Sequence, residues 1–347
     1  MKVLFITRKF PPSVGGMEQF AFGLTEGYSG ESRVWKWGGA RWHVIWWLPW
    51  VALKLCLGKR ADVVHLMDGV LVPLAPFARL YGRKVVVTLH GLELTYPNPI
   101  YQWLFRFGLK RVHGVVSVSH ATDELLQTYA KPRQHAVIGH GVQLPRMTKA
   151  QALELLENRF AIGETKNIIL LAGRLVERKG QVWFLEHVAA DLLQDPQNYV
   201  VIVGDGPDRD RVQAATEKLG GLPGRILLRG RVSDAELSAW YARATVMVMP
   251  NLPVQGDAEG FGMVALEAAA HGCPVVASRL EGITDAVIDG VTGLLVPSGK
   301  PETFKSAILQ STTWPEEKRY EMAVKVVEQF TWKSISEQYQ QFYQNLT

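Results

Sequence analysis

The feature that most constrains this chain is a recurring unit: a short, continuous apolar run followed by a segment of helix length. The runs are Val3–Thr7, Ala61–Met67, Lys84–His90 and Gly114–Ser119, then Asn167–Gly173, Tyr199–Gly204, Arg225–Gly230, Val246–Pro250 and Pro274–Ser278. A strand that is apolar along its whole length, rather than at every second residue, is buried on both faces. Its alternation with helices therefore predicts parallel sheets covered on both sides, in an α/β protein. At 347 residues the chain exceeds what one hydrophobic core usually serves, so two doubly wound domains are expected. The first series of strands ends near His140, and a polar, helix-prone stretch, Thr148–Arg159, precedes Asn167. The expected division is therefore residues 1–150 and residues 151–330. After Val296 the pattern turns helical, and Trp332–Tyr343 carries apolar and aromatic residues at near-helical spacing, so this last helix needs a surface to pack on.

Composition narrows the class. With 47% apolar and 20% charged residues the chain reads as an ordinary globular protein. Two cysteines, Cys56 and Cys273, both in apolar surroundings, argue against a disulfide framework and fit a reducing compartment. The apolar start Lys2–Thr7 is too short for a signal peptide and leads straight into Pro11-Pro12, so it reads as a first strand, and a cytoplasmic location is expected. The net charge of +5 hides an asymmetry: residues 1–150 hold 19 Lys/Arg against 8 Asp/Glu, and residues 151–347 hold 19 against 25. Such a basic first half suits nucleic acid, an anionic bilayer surface or a phosphorylated acceptor, and charge alone does not choose among them.

Six of the eleven tryptophans, Trp35, Trp37, Trp42, Trp46, Trp47 and Trp50, fall within Val34–Leu57, flanked by Lys36, Arg41, Lys54, Lys59 and Arg60. His43, Pro49 and Lys54 leave fewer than the roughly 18 clean apolar residues that a membrane-spanning helix needs. Two readings stand: a helix whose aromatics cover the first sheet, or an interfacial patch, because tryptophan and cationic side chains favour the headgroup region.

Three loops carry the chemistry. Directly after the first strand comes Pro11-Pro12-Ser13-Val14-Gly15-Gly16-Met17-Glu18, where adjacent glycines at a helix start let backbone amides approach an anion. Gly173-Arg174-Leu175-Val176-Glu177-Arg178-Lys179-Gly180 follows the first strand of the second series, at the edge where open parallel sheets bind ligands. There Arg174 offers a planar fork for phosphate oxygens and Lys179 a compact charge. The bland alternative is a solvated loop with Glu177 paired to an arginine, worth only about 0–1 kcal/mol. The third loop is Glu259-Gly260-Phe261-Gly262-Met263-Val264-Ala265-Leu266-Glu267, in which Glu259 lies in the loop and Glu267 about two turns along the following helix, suited to hydrogen bonds from sugar hydroxyls.

Together with Gly204-Asp205-Gly206-Pro207, Pro274–Ser278 and Gly293–Val296, these motifs, in this order and spacing, resemble the family-4 retaining glycosyltransferases over essentially the whole chain. The resemblance implies a GT-B architecture. In it two Rossmann-like domains face a central cleft, residues 1–150 serve the acceptor, residues 151–330 the nucleotide-sugar donor, and a C-terminal helix, about 331–347, crosses back to the first domain. It further implies that Gly16, supported by Gly15, meets the donor phosphate and that Arg174 and Lys179 balance the leaving diphosphate in place of a metal. By the same resemblance Glu267 binds the ribose, while Glu259 with the Phe261 and Gly262 amides holds donor-sugar hydroxyls. Val232, Met263 and Val264 line the base and phosphate pocket. His90, at a strand end in Thr88-Leu89-His90-Gly91, resembles the histidine beside the donor sugar.

The implied activity is a metal-independent, retaining transfer of a hexosyl group from a nucleotide-diphosphate sugar to a hydroxyl acceptor in polysaccharide or glycolipid assembly. A UDP-sugar, UDP-glucose by default, is the favoured donor, with GDP and ADP sugars open. No bound cofactor and no nucleic acid partner are expected. The partners expected are the nucleotide sugar, a sugar or lipid-linked saccharide acceptor, and the inner face of a membrane through the basic, tryptophan-rich domain. The acceptor hydroxyl would attack on the face from which the diphosphate leaves. No Asp-x-Asp occurs in the first domain, which disfavours metal-dependent single-domain transferases. A nucleotide-sugar epimerase of similar architecture is the alternative. A dinucleotide oxidoreductase fits less well, because no Gly-x-Gly-x-x-Gly follows the first strand. The chain has His140-Gly141-Val142 where relatives often have Asn-Gly-Val, and His113, His120 and His135 show no metal-ligand spacing.

Overall fold

A computed structural model describes residues 1–13, 15–37, 44–58, 61–145, 147–160, 162–163, 165–220 and 224–346. Val14 of the first glycine motif, and Arg41, Trp42, His43, Lys59 and Arg60 of the tryptophan-rich stretch, lie outside them. The chain forms two compact units, Met1–Gly141 with Phe330–Thr347, and Val142–Gln329.

The first unit holds a parallel sheet of β1 (Lys2–Thr7), β2 (Glu31–Lys36), β3 (Val63–Leu66), β4 (Lys84–Leu89), β5 (Gly114–Ser117) and β6 (His135–Val137) in the order β2-β1-β3-β4-β5-β6. Alternate residues feed two cores. Leu4, Ile6, Val64, Leu66, Val85 and Val87 pack on one face with Val51, Leu55, Phe105 and Leu109. On the other face Val3, Phe5, Val63 and Val86 meet Phe20 and Leu24 of the helix Gly16–Gly27 and Ile335, Tyr339 and Tyr343 of the helix Trp332–Gln344.

The final helix is thus bound into the first unit. Thr331 caps it, its Oγ1 accepting from the Ser334 N–H at 3.2 Å. Gly23 lets it approach: a Cβ there would stand 2.0 Å from the Trp332 ring. Deeper in, the Tyr343 hydroxyl lies 2.7 Å from His65 Nδ1, His65 Nε2 lies 2.8 Å from Thr88 Oγ1, and Thr88 Oγ1 lies 3.1 Å from the Tyr339 hydroxyl. Burial, with His90 nearby, pushes the His65 imidazole down to about 3, so it is neutral in the folded chain.

The tryptophan-rich stretch divides. Trp35 belongs to the edge strand β2, and Val44–Leu57 is a helix that continues through Pro49 because Trp47, Val51 and Leu55, four residues apart, are buried on the sheet. The other side of this helix exposes Trp46, Trp50, Leu53 and Leu57. Among the described residues no helix is long and apolar enough to cross a membrane.

The second unit holds β7 (Asn167–Ala172), β8 (Asn198–Val203), β9 (Ile226–Gly230), β10 (Val246–Met249), β11 (Val275–Ser278) and β12 (Gly293–Val296) in the order β12-β11-β10-β7-β8-β9, again all parallel. Read from β9, this is the doubly wound order 3-2-1-4-5-6, whose direction of winding reverses between β7 and β10. In the first sheet the reversal falls between β1 and β3. Loops on the two sides of such a point diverge and leave a crevice at the carboxyl edge.

Candidate functional site

At the carboxyl edge of the second sheet, the loop after β7 carries Arg174 and Lys179, and the loop after β10 carries Glu259. The structure brings Lys179 and Glu259 together, Nζ to Oε2 at 2.5 Å. Arg178 makes a short Nη1 bond to the same oxygen, and its Nε donates to Asp257 Oδ1 at 2.9 Å. Asn251 Nδ2 donates to Glu259 Oε2 at 3.1 Å. All three donors fall on Oε2, so among the described residues Oε1 carries no such bond. Burial opposes ionisation of Glu259, but Lys179 and then Arg178 outweigh it and hold the carboxyl below its ordinary value.

The backbone of this loop is fixed from below. Glu281, at φ +48°, accepts the Glu259 N–H through its carboxylate, and the Gly282 N–H donates to the Glu259 carbonyl at 3.1 Å. Gly180, at φ +68°, lies so close to the end of β10 that a Cβ would stand 1.9 Å from the Pro250 carbonyl oxygen. Only glycine joins that left-handed turn to that approach. Glycines of Gly204-Asp205-Gly206-Pro207 serve spacing of the same kind, since Cβ atoms on Gly204 and Gly206 would stand 1.8 and 2.2 Å from the Gly173 and Leu175 carbonyl oxygens. Among the described residues Glu177 pairs with no arginine: it is exposed, and the arginine beside it turns to Asp257 and Glu259.

Arg174 is exposed, and its guanidinium has no partner among the described residues. Gly262, at φ +89°, precedes the helix Met263–Ala270 as its N-cap, with Phe261 buried behind it. Met263 and Val264 are half-buried in the first turn of that helix, and Val232 is half-buried just past β9. Farther along the helix, Glu267 Oε2 accepts the Tyr241 hydroxyl at 2.9 Å, and burial raises the Glu267 carboxyl against the lowering effect of that bond.

The edge of the first sheet is built differently. Gly15 is extended, at φ 162°, so no left-handed backbone is involved, and what requires its smallness is Glu18, whose Oε2 would stand 2.6 Å from a Cβ. Glu18 is buried and paired with Lys9 at 3.0 Å, so the helix beginning at Gly16 carries an anion of its own at its positive end. His90, buried after β4, donates from Nε2 to the Met67 carbonyl at 3.1 Å, and its backbone N–H donates to Glu93 Oε1 at 2.7 Å. Phe20 stands edge-on to its ring at 5.0 Å. Arg8 Nε meets Asp68 Oδ1 at 3.1 Å beside them. Among the described residues there is no group of three or more His, Cys, Asp or Glu able to hold a metal ion.

Sequence reasoning did not single out Arg178, Asn251, Asp257 or Glu281. Arg178 stands inside a quoted motif and Asn251 directly follows a strand, so both had a local signal. Glu281 lies 22 residues from the amide it holds and had none.

Comparison with known proteins agrees with this architecture. A family model described as Glycosyltransferase Family 4 matches residues 2–146, and one described as Glycosyl transferases group 1 matches residues 166–313. The GDP-mannose-dependent alpha-(1-6)-phosphatidylinositol monomannoside mannosyltransferase of Mycolicibacterium smegmatis is 29% identical over 341 residues, covering 88% of each chain. A D-inositol 3-phosphate glycosyltransferase of Streptomyces bingchenggensis is 34% identical over 200 residues, which are 55% of this chain and 43% of that one. Among solved structures, Anabaena Alr3699/HepE in complex with UDP superposes with a TM-score of 0.80 at 18% identity over 100% of both chains. With one model over each sheet, the chain belongs to the family-4, group 1 glycosyltransferases and is a glycosyltransferase with two Rossmann-like sheets.

Proposed function

We propose that this glycosyltransferase is retaining and metal-independent, and that it moves a hexosyl group from a UDP-sugar, UDP-glucose by default, to a hydroxyl of a saccharide or lipid-linked saccharide in polysaccharide or glycolipid biosynthesis. The observation that carries this is the group at the β7/β10 reversal: two cations and an amide converging on one carboxylate oxygen, Glu259 Oε2, with Arg174, unpartnered among the described residues, on the same loop. The UDP and UDP-glucose complexes of the Anabaena protein support the donor.

In this reading the donor diphosphate competes with Glu259 for Lys179 and takes Arg174 as its second cation. As the bond to the anomeric carbon breaks, its electron pair goes to the diphosphate oxygen, where Lys179 and Arg174 stabilise the charge. The acceptor hydroxyl attacks the same face and gives its proton to that oxygen, so no protein nucleophile is required. Glu259 stays anchored by Arg178 and Asn251 through Oε2 and presents Oε1 to a sugar hydroxyl. The Phe261 and Gly262 amides hold the sugar beside it, Glu267 holds the ribose, and Val232, Met263 and Val264 line the base and phosphates. From the first unit, Gly15 and Gly16 supply donor-phosphate amides and His90 a contact to the sugar. The two sequence units are proposed as the acceptor (1–150 with 331–347) and donor (151–330) domains.

A second donor has an observation of its own. The mycobacterial relative, matched over 88% of its length, is named for GDP-mannose and a phosphatidylinositol mannoside, which favours a GDP-sugar and an inositol lipid. Either acceptor suits a cytoplasmic enzyme at the inner face of a membrane, contacted through the basic first domain and its tryptophan-rich helix Val44–Leu57. Thermal unfolding in EDTA with UDP, GDP, ADP and NAD separates these readings. A nucleotide at about 100 times its Kd stabilises by ~2.7 kcal/mol. Stabilisation by UDP, lost in Lys179→Ala, is expected; stabilisation by GDP alone selects the second donor, and by NAD alone sinks both.

A further inference from the structure

Sixteen large hydrophobic side chains are exposed among the described residues, and twelve of them lie between Trp46 and Phe107. Their helices share one side of the first sheet. Val44–Leu57, Ala75–Ala78 and Pro99–Leu109 all send inward residues, among them Val51, Ala78 and Phe105, into the cluster around Ile6, Val64 and Val85. What faces away from that cluster is the outer surface of one layer.

The helix Pro99–Leu109 shows how deliberate this surface is. Its start is fixed by Asn98, whose Oδ1 accepts the Tyr101 N–H at 2.9 Å, and its end by Gly108, where a Cβ would stand 2.3 Å from the Val72 carbonyl oxygen. A helix held this closely presents Ile100, Trp103 and Phe107, at i, i+3 and i+7, with exposures of 69%, 65% and 42%. Trp103 and Phe107 stack at 6.0 Å, and the Arg111 guanidinium lies 3.5 Å over the Phe107 ring. On Val44–Leu57 the pattern repeats, with Lys54 Nζ 3.8 Å over Trp50. Residues 44–112 hold nine Lys/Arg against three Asp/Glu; one of the cations, Arg83, and two of the acids, Asp68 and Glu93, are buried, so the excess stays positive.

We propose that this layer is a docking face for an anionic phospholipid bilayer, with Ile100, Trp103 and Phe107 as a second insertion point beside the helix Val44–Leu57. The proposal extends the membrane contact given above and assigns it a lipid chemistry. Amphipathic aromatics with cations stacked over them match the headgroup boundary, and the excess of positive charge matches acidic lipid. A second copy of the chain does not match, because pairing this face with itself opposes like charges. Nucleic acid does not match either, because the exposed aliphatic Leu53, Leu57 and Ile100 call for an apolar phase that a phosphate backbone does not offer.

The test is co-sedimentation of the full chain with vesicles of phosphatidylcholine alone and of phosphatidylcholine with phosphatidylglycerol. The wild type should bind the acidic vesicles at least about tenfold more tightly, and less so at high salt. Replacing Ile100, Trp103 and Phe107 together by Ser should weaken that binding at least about tenfold, and Lys110→Glu with Arg111→Glu should remove the preference for acidic lipid. Circular dichroism and unfolding temperature should be unchanged in both. Equal binding by the wild type and the serine variant, no preference for acidic lipid, or a dimer in solution that the serine variant dissolves would each overturn the proposal. Nucleotide stabilisation measured without lipid reports on the transferase separately: its loss in the wild type sinks the donor reading and leaves the vesicle result standing.

Discussion

The carboxyl edges of the two sheets handle charge in opposite ways. At the second, Lys179 and Arg178 are both committed to Glu259, so a ligand there competes with an existing ion pair. At the first, Lys9–Glu18 and Arg8–Asp68 are paired too, but behind them burial keeps the imidazoles of His65 and His140 neutral, His65 inside a hydrogen-bonded chain of hydroxyls. The difference separates a site ready to exchange partners from a core that depends on having no charge. Acid should therefore reach the first unit before the second.

Removing one member of the second knot tests the contrast most severely. Glu259→Ala leaves Lys179 without its carboxylate and Arg178 with Asp257 alone, and urea unfolding should show a loss of ~3 kcal/mol in the second unit with little change in the first. Acidification is the matching test of the first unit. The folded pKa of His65 lies below the ordinary 6.5, so its contribution is complete above pH 6.5 and is lost as pH falls toward 3. The loss is about 1.4 kcal/mol per pH unit, and the lowered His140 adds to it with the same sign. Glu259, lowered from 4.5, loses its contribution only below that value, and the raised Glu267 acts in the opposite sense. Amide exchange at pH 5 should thus speed up in β3 and β4 while β7 and β10 hold; simultaneous loosening of both would contradict the contrast.

Two smaller effects sharpen it. Arg178→Ala should reduce kcat/KM by about thirtyfold, ~2 kcal/mol, through a carboxylate held by fewer bonds, and Arg178→Lys should recover part of this. Lys179→Ala should lower kcat at least about tenfold, ~1.4 kcal/mol, while the unfolding temperature stays close to wild type because Arg178 still holds Glu259. A fully active Lys179→Ala enzyme would remove that lysine from the chemistry.

The buried strands β1, β3, β4, β7, β8 and β10 were legible because a strand covered on both faces must be apolar throughout. The edge strands β2 and β6 were not. Glu31–Lys36 is half-exposed and reads as polar alternation, and His135–Val137 is three residues long. The spacing of Ile335, Tyr339 and Tyr343 announced an amphipathic last helix, but its partners His65 and Thr88 lie more than 250 residues away, beyond any local pattern. Glycine motifs marked the site because close approach needs glycine at Gly180. The arginine and asparagine that aim Glu259 were hidden, since one more cation in a charged loop looks like solvated surface until its partner is seen. Likewise the tryptophan-rich segment looked like one feature, whereas Trp47 faces the core and Trp46 and Trp50 face out.

The route of the chain through Trp332–Gln344 has a consequence for biosynthesis. When Gly141 has left the ribosome, one face of the first sheet still lacks Ile335, Tyr339 and Tyr343, and all of Val142–Gln329 must be made before they arrive. At about 5–20 residues per second that interval is on the order of 10–40 s. By its end the second unit has every residue it needs to close, while the earlier-made one still waits with Phe20, Leu24 and Val86 uncovered. The half translated first is completed last, and for that interval the nascent chain presents an apolar sheet face that a chaperone can hold.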